Sequence, residues 1–155
     1  ILAAGYSRGT STDFALVRYC ADGWLDDGVN CGNPAFGTAG KTTTDFWGDW
    51  DEIAALRLLP DGKILAGGYA SYELDSGWDE DFALALYDSN GILYTGFSSD
   101  GRETIDFGAL EEHGFALALQ PEGKFIVSGL SSRYLAMARF IYELPIRLYA
   151  PVILR

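Results

Sequence analysis

The sequence predicts an all-β protein made of three tandem antiparallel sheets of about four strands each, in which the first sheet lacks its first strand. Three observations predict this class. Short strand patterns recur with a period of about 60 residues, which is long enough for a four-stranded sheet and its turns. Turn signals with proline and glycine separate these patterns. The 19 glycines among 155 residues supply the tight turns that such a protein needs.

The repeat is visible in three kinds of segment. Residues 55–63 read Ala-Leu-Arg-Leu-Leu-Pro-Asp-Gly-Lys and return at 116–124 as Ala-Leu-Ala-Leu-Gln-Pro-Glu-Gly-Lys. The segment Asp-Phe-Ala-Leu at 81–84 matches 13–16, and Thr-Ile-Asp-Phe at 104–107 matches Thr-Thr-Asp-Phe at 43–46. We therefore predict one domain with units at residues 1–50, 51–110 and 111–142, followed by a tail strand within residues 143–155.

The strands follow from β-branched, aromatic and small apolar runs that end at turn residues. Pro60, Asp61 and Gly62 form a turn with a preset φ and a permissive glycine, so they predict a hairpin. The long loop at 20–40 and the segment at 70–80 are polar and predict connections. The predicted strands are residues 1–7, 13–19, 41–46, 53–59, 63–69, 82–87, 102–107, 115–120, 124–129 and 134–141.

Alternation inside the third strand of each unit separates large from small side chains. Phe82, Leu84 and Leu86 point to one face, and Ala83 and Ala85 point to the other. The first unit opposes Phe14 and Leu16 to Ala15 and Val17, and the last unit opposes Leu135 and Met137 to Ala136 and Ala138. This pattern predicts stacked sheets with the bulky face of one against the small face of the next. Alanine and leucine also favour helices, but the short, recurring, glycine-bounded segments favour strands.

Composition excludes some classes of function. The net charge of −11 opposes nucleic-acid binding, and no stretch is long and apolar enough to span a bilayer. Cys20 and Cys31 lie in one loop, where they form either a disulfide or two buried free thiols. We expect the disulfide, and with it an extracellular or cell-surface location. The chain begins without methionine and within a strand, so we expect a processed N-terminus or a piece of a longer protein.

These residues resemble the tandem delta-60 repeats of large bacterial secreted and surface proteins. The resemblance rests on residues 55–69, 13–19, 21–26, 43–46 and 115–124. It implies a β-propeller in which each repeat forms one blade, and it implies no activity and no agreed ligand. Three units are fewer than the four to eight blades of a usual propeller.

The sequence offers no arrangement typical of an enzyme. The single histidine, His113, is expected as a surface turn residue, and no nucleophile–base pattern accompanies it. Acidic residues gather at 45–52, 75–81, 26–27 and 88; they indicate solvated turns first, and a calcium site second. We therefore expect no cofactor, with calcium as the alternative. The loop tryptophans Trp24, Trp47, Trp50 and Trp78 are candidates for contact with a glycan or a surface protein.

The two ends of the chain suggest assembly. The strand that contains Ile1, Leu2, Ala3, Ala4 and Tyr6 lacks a neighbour on one side, and an open edge recruits other chains. The tail supplies apolar residues for strand addition: Ile146, Leu148, Tyr149, Val152, Ile153 and Leu154. We expect a non-enzymatic structural subunit whose tail fills the gap of the next copy, head to tail, in a filament or ring. The alternatives are a self-closed monomer, a fragment of a longer propeller and a binding module.

Overall fold

The computed structural model describes residues 1–31, 34–75, 77–121, 123–141 and 147–154, with no side chains described for 147–150. The described residues form eleven strands, which confirms the all-β prediction. Among these residues the structure has no helix with the length and apolarity needed to cross a membrane. The strands are β1 (Leu2–Arg8), β2 (Thr12–Arg18), β3 (Lys41–Thr44), β4 (Asp51–Leu58), β5 (Ile64–Leu74), β6 (Gly77–Tyr87), β7 (Arg102–Ile105), β8 (Glu112–Gln120), β9 (Lys124–Ser131), β10 (Tyr134–Ile141) and β11 (Arg147–Leu154).

The strands pair in chain order within three antiparallel sheets. Sheet 1 has the order β1-β2-β3, sheet 2 the order β4-β5-β6-β7, and sheet 3 the order β8-β9-β10-β11. Sheet 1 thus has three strands, as the sequence predicts, and β1 stands at its edge. The hairpins β4–β5 and β8–β9 each contain a bulge, between Ile53 and Ala55 and between Gly114 and Ala116.

Two apolar seams between successive sheets form the core. In the first seam, Phe14 and Leu16 of sheet 1 pack against Ala83 and Ala85 of sheet 2. In the second, the bulky face of β6 packs against Ala136 and Ala138 of sheet 3. All these side chains are buried. The prediction that bulky faces pack on small faces is therefore confirmed, and strand alternation leaves sheet 2 buried on both sides.

The segment at 70–80 is not a polar connection, and this prediction is wrong. Strands β5 and β6 continue through it as one long hairpin, with Ser71 opposite Glu80 and Leu74 opposite Gly77. Polar residues predominate in this extension because it projects beyond the apolar core, where most of its side chains are exposed or half-buried. Trp78 consequently lies in β6 and not in a loop.

The tail forms the fourth strand of its own sheet. β11 pairs antiparallel with β10, with Ala136 opposite Ile153 and Met137 opposite Val152. Ile153 packs against the core of the second seam. The expectation that the tail fills a gap in another copy finds no support here, because its backbone already pairs with β10. Ile146 lies outside the described residues, and the side chains of Leu148 and Tyr149 are not described.

Candidate functional site

The outward face of sheet 3 is open and mainly apolar, with Arg139 farther along β10 on the same face. Leu135 lies opposite Leu130 on one side and Leu154 on the other, and Val152 lies opposite Met137. Leu135 is 43% exposed, whereas Phe82, at the same place in sheet 2, is 0% exposed. The difference arises because sheet 3 covers Phe82, and no described residue covers Leu135. We call Leu130, Leu135, Met137, Val152 and Leu154 the bulky end face.

The outward face of sheet 1 has the opposite character. Ala15 lies between Gly5 and Thr43, and Val17 lies between Ala3 and Lys41. In sheet 2, the equivalent alanines Ala83 and Ala85 are fully buried against sheet 1. We call Ala3, Gly5, Ala15 and Val17 the small end face. The two ends of the stack therefore carry the two halves of the contact that forms each internal seam.

The free edge of β1 keeps a glycine that its present surroundings do not require. In β5 a Cβ at Gly68 would stand 1.8 Å from the carbonyl oxygen of Glu52, and in β9 a Cβ at Gly129 would stand 1.8 Å from that of His113. Both glycines face the bulge of the first strand in their sheet. Gly5 holds the same position in β1, where a Cβ would meet no described atom within 4 Å. Gly5 therefore lacks the backbone contact that constrains Gly68 and Gly129. It lies on the predicted assembly edge of Ile1, Leu2, Ala3, Ala4 and Tyr6, where Tyr6 is 45% exposed.

The four tryptophans do not form one surface. Trp50 and Trp78 line a common cleft of about 410 Å³ together with Arg8, Asp49 and Glu80. The guanidinium of Arg8 lies 5.6 Å from the ring centroid of Trp50. Trp47 instead packs edge-on against Tyr72, with ring centroids 4.9 Å apart, and Trp24 is exposed in the disulfide loop. The structure thus brings two of the four predicted tryptophans, Trp50 and Trp78, into one cleft.

His113 is not a surface turn residue. It lies in β8 and is half-buried, and its ring stacks on Tyr69 of sheet 2 with centroids 4.2 Å apart. Its Nε2 lies 2.5 Å from a carboxylate oxygen of Glu80. The prediction is wrong because β8 begins three residues earlier than its apolar pattern indicates, which places His113 where sheets 2 and 3 meet.

Cys20 and Cys31 form the predicted disulfide, with Cα atoms 5.6 Å apart. The loop that they close is held from outside by Arg18, whose Nε pairs with the buried carboxylate of Asp26. The Arg18 guanidinium also donates to the carbonyl oxygen of Ser89, in the turn that follows β6 of sheet 2. The disulfide loop is therefore attached to both sheets that flank the first seam.

Two three-carboxylate groups lie where one sheet leads to the next. The first acidic cluster comprises Asp13, Asp45 and Asp51, and each residue has an oxygen within 4.8 Å of those of the other two. A parallel bridge between Thr12 and Trp50 brings the start of β2 beside the start of β4. Asp51 is 0% exposed, and one of its oxygens accepts the backbone N–H of Phe46 at 2.8 Å.

The second acidic cluster repeats this arrangement with Asp81, Asp106 and Glu112. A parallel bridge between Glu80, within β6, and Glu111 brings β6 beside the start of β8. The Glu112 carboxylate is buried and accepts the backbone N–H groups of Phe107 and Ala109 at 2.7 and 2.9 Å. The same carboxylate accepts the Ser131 hydroxyl at 2.8 Å.

Burial raises the pKa of one carboxyl group in each cluster. Burial, followed by the charges of Asp45, Asp13 and Asp49, raises the pKa of Asp51 from 3.8 to about 7. Burial, followed by the charges of Asp106, Asp79 and Glu112, raises the pKa of Asp81 from 3.8 to about 7. Each cluster therefore resists carrying its full negative charge without a proton or a cation.

These clusters were missed because their members lie far apart in the chain. Asp45, Asp51 and Asp81 lie within the acidic segments predicted at 45–52 and 75–81, but Asp13, Asp106 and Glu112 were not expected as their partners. The signal was present in the repeat itself. The Asp-Phe-Ala-Leu motif begins with Asp13 and with Asp81, and an acid follows each Thr-x-Asp-Phe aspartate at the same interval.

Comparison with known families places the chain near a propeller repeat. The family described as "domain of unknown function (DUF5122) beta-propeller" matches residues 1–28 and 59–97, less than half of the chain. The two stretches contain β1–β2 and β5–β6, which are equivalent strands of sheets 1 and 2. The chain is thus similar to a β-propeller-like repeat family, whereas the delta-60 assignment stays a prediction. Neither the curated proteins nor the solved structures gave a match.

Proposed function

We propose that this chain is a non-enzymatic structural module of the propeller-repeat type that associates with a second copy of itself. The bulky end face of one molecule packs against the small end face of the next. One observation carries the proposal: the chain makes this contact twice internally, at both seams. The repeat therefore favours a second copy of the chain as the partner, because sheet 3 carries the bulky end face and sheet 1 carries the small end face that it fits.

The internal seams give the docking geometry. Phe82 and Leu84 rest over Ala136 and Ala138, and the equivalent residues at the open end are Leu135 and Met137. On the acceptor side, Ala15 and Val17 take the positions of Ala83 and Ala85. Burying a large aliphatic side chain contributes about 1.5–3 kcal/mol, so the five residues of the bulky end face supply a substantial driving force.

The number of sheets in two copies is compatible with a closed ring. Two copies that join through both pairs of end faces bring together six sheets, which lies within the usual four to eight blades of a propeller. A contact between unlike surfaces closes into a ring if its rotation allows and otherwise continues as a filament. This proposal keeps the expected head-to-tail assembly and replaces tail donation with packing of sheet faces, because β11 pairs with its own β10.

The disulfide supports an extracellular or cell-surface location. A disulfide between Cys20 and Cys31 persists in an oxidising compartment, so we place the protein outside the cell or on its surface. The net charge of −11 is consistent with a partner that is not a nucleic acid.

Light scattering coupled to size-exclusion chromatography tests the association. The wild type should elute with at least twice the chain mass of 16.9 kDa. Leu135→Glu should give the monomer, because it places a charge within the buried contact, and Ala15→Arg should do the same from the other face. Ile92→Glu is the matched control, since Ile92 is an exposed apolar residue that belongs to neither end face. A monomeric wild type at high concentration, or association that neither face variant weakens, contradicts the proposal.

A second function is favoured by the cleft at Trp50 and Trp78. Indole rings stack on the apolar faces of sugars, and Asp49, Glu80 and Arg8 line the same cleft with groups that bind hydroxyls. We propose a glycan as its ligand. A glycan array with the wild type, Trp78→Ala and Trp24→Ala tests this. Binding should be lost in Trp78→Ala and kept in Trp24→Ala, whose tryptophan lies outside the cleft; equal binding by all three argues against it.

A further inference from the structure

The two acidic clusters are equivalent positions of one repeat. Asp13 and Asp81 are the first residues of the Asp-Phe-Ala-Leu motif, and Asp45 and Asp106 are the aspartates of the Thr-x-Asp-Phe motif. Asp51 and Glu112 begin the first strand of the following sheet. In each cluster, an oxygen from every member lies within 4.8 Å of the others. Three carboxylates that converge at such distances repel one another. The repeat nevertheless places them together twice.

Each cluster contains a buried oxygen with no hydrogen-bond partner. In the first cluster this atom is Oδ1 of Asp51, and in the second it is Oδ1 of Asp81. The two residues are 0% and 5% exposed. A buried carboxylate oxygen is costly unless a donor or a cation satisfies it. The unsatisfied oxygen comes from different repeat positions in the two clusters, but in each cluster it belongs to a member of the three-carboxylate group, where a bound cation would satisfy it.

We propose that each acidic cluster binds one Ca²⁺ ion, so that the chain carries two calcium sites, one at each junction between sheets. Ca²⁺ takes six to eight oxygen ligands in flexible geometry. The buried Asp51 and Asp81 supply oxygens from inside, while Asp45 and Asp106 are exposed and leave room for water ligands and for entry of the ion. Mg²⁺ fits less well, since it demands a near-ideal octahedron and dehydrates reluctantly.

The ion would join elements that the backbone holds only by short bridges. In the first cluster it links β2, the end of the β3 segment and β4, and in the second it links β6, the end of the β7 segment and β8. Each site therefore fastens one sheet to the next. Sheet 3 has Tyr134 at the position of Asp81, so this site does not recur there. The group of Cys20, Asp26 and Cys31 is different in kind, because its cysteines form a disulfide.

Isothermal titration calorimetry of the chelator-treated full chain with CaCl₂ tests the proposal. The wild type should bind two ions, with dissociation constants of roughly 10⁻⁴ to 10⁻³ M, as in extracellular calcium modules. Asp51→Asn and Asp81→Asn should each bind one ion, and the double variant none. Asp75→Asn is the control, because Asp75 is an exposed turn residue outside both clusters, and it should still bind two.

Thermal unfolding supplies a second measurement that does not depend on titration heat. About 10 mM CaCl₂ should raise the Tm of the wild type by roughly 5–10 °C, and the double variant should show no shift. In chelator the Asn variants should unfold at the same temperature as the wild type or higher, since an amide relieves the repulsion among carboxylates. Absence of both heat and Tm shift in the wild type overturns the proposal. Loss of an ion in only one single variant overturns it for the other cluster.

Discussion

Gly68 provides the sharpest test of how the sheets are built. A Cβ at this position would stand 1.8 Å from the carbonyl oxygen of Glu52, 2.9 Å from its carbonyl carbon and 3.0 Å from the backbone nitrogen of Ala54. All three atoms belong to the backbone of β4, so no side-chain rotation relieves the clash. Gly68→Ala must therefore push the bulge of β4 away from β5 by well over an ångström and break the pairing of Ile53 with Gly68.

The expected cost is large for the addition of one methyl group. Overpacking costs about 1–3 kcal/mol where side chains can adjust, and occasionally more. Because backbone must move here, we expect Gly68→Ala to lower the free energy of unfolding by about 3 kcal/mol or more. In a chain of this size that corresponds to a fall in Tm of roughly 6–12 °C. Gly129→Ala should behave alike, since its Cβ would meet the His113 carbonyl oxygen at the same 1.8 Å.

Gly5→Ala is the matched control in the same repeat position. A Cβ there meets no described atom within 4 Å, and replacing glycine by alanine stabilises by about 0.4–1 kcal/mol through the unfolded chain when no strain results. Urea unfolding followed by tryptophan fluorescence measures all three variants. If Gly68→Ala and Gly5→Ala differ by less than about 1 kcal/mol, then the bulge does not impose the glycine and the equivalence of β1, β5 and β9 is wrong.

Three further outcomes are expected. In chelator, the free energy of unfolding should fall as pH rises from about 4 to 7. The reason is that Asp51 and Asp81 have folded-state pKa values of about 7 against 3.8 in the unfolded chain, so the folded state binds more protons in that window. Urea titrations at pH 5 and pH 8 measure this change, and the Asp51→Asn/Asp81→Asn double variant should lose the dependence on pH. Replacing both Cys20 and Cys31 by serine should cost about 3 kcal/mol, since their separation of 11 residues closes a short loop; unchanged urea unfolding would argue against that estimate. Added NaCl should strengthen self-association, because each copy carries a net charge of −11 and salt screens the repulsion between copies. Sedimentation equilibrium at low and high salt measures the association constant, and weaker association at high salt would indicate ion pairs across the contact.

The sequence was sufficient for the sheets and their stacking because strand alternation is a local property. Phe82, Leu84 and Leu86 alternate with alanines, and this pattern alone specifies which face meets which neighbour. The hairpin extension was missed for a related reason. Its residues, such as Glu73 and Asp79, are largely polar, so no apolar alternation distinguishes an extended hairpin from a loop.

The acidic clusters were missed because they depend on long-range placement. Asp13 and Asp51 are 38 positions apart in the chain and meet only through the bridge of Thr12 with Trp50. No periodicity within one unit signals that contact. An alignment of the first two units shows the contact, because the three acids of each cluster recur at matching positions in the sequence.

The two proposals concern different junctions, which makes them separable. The calcium sites lie at the junctions within the chain, where one covalently connected sheet leads to the next, whereas association joins sheet 3 of one copy to sheet 1 of another. That outer junction has Tyr134 where the inner ones have Asp13 and Asp81, so it lacks a ligand for the ion. Calcium should therefore raise the Tm of the isolated Leu135→Glu monomer as much as that of the assembled wild type. A calcium shift confined to the assembled form would instead place the ion between copies and contradict the assignment to the two clusters.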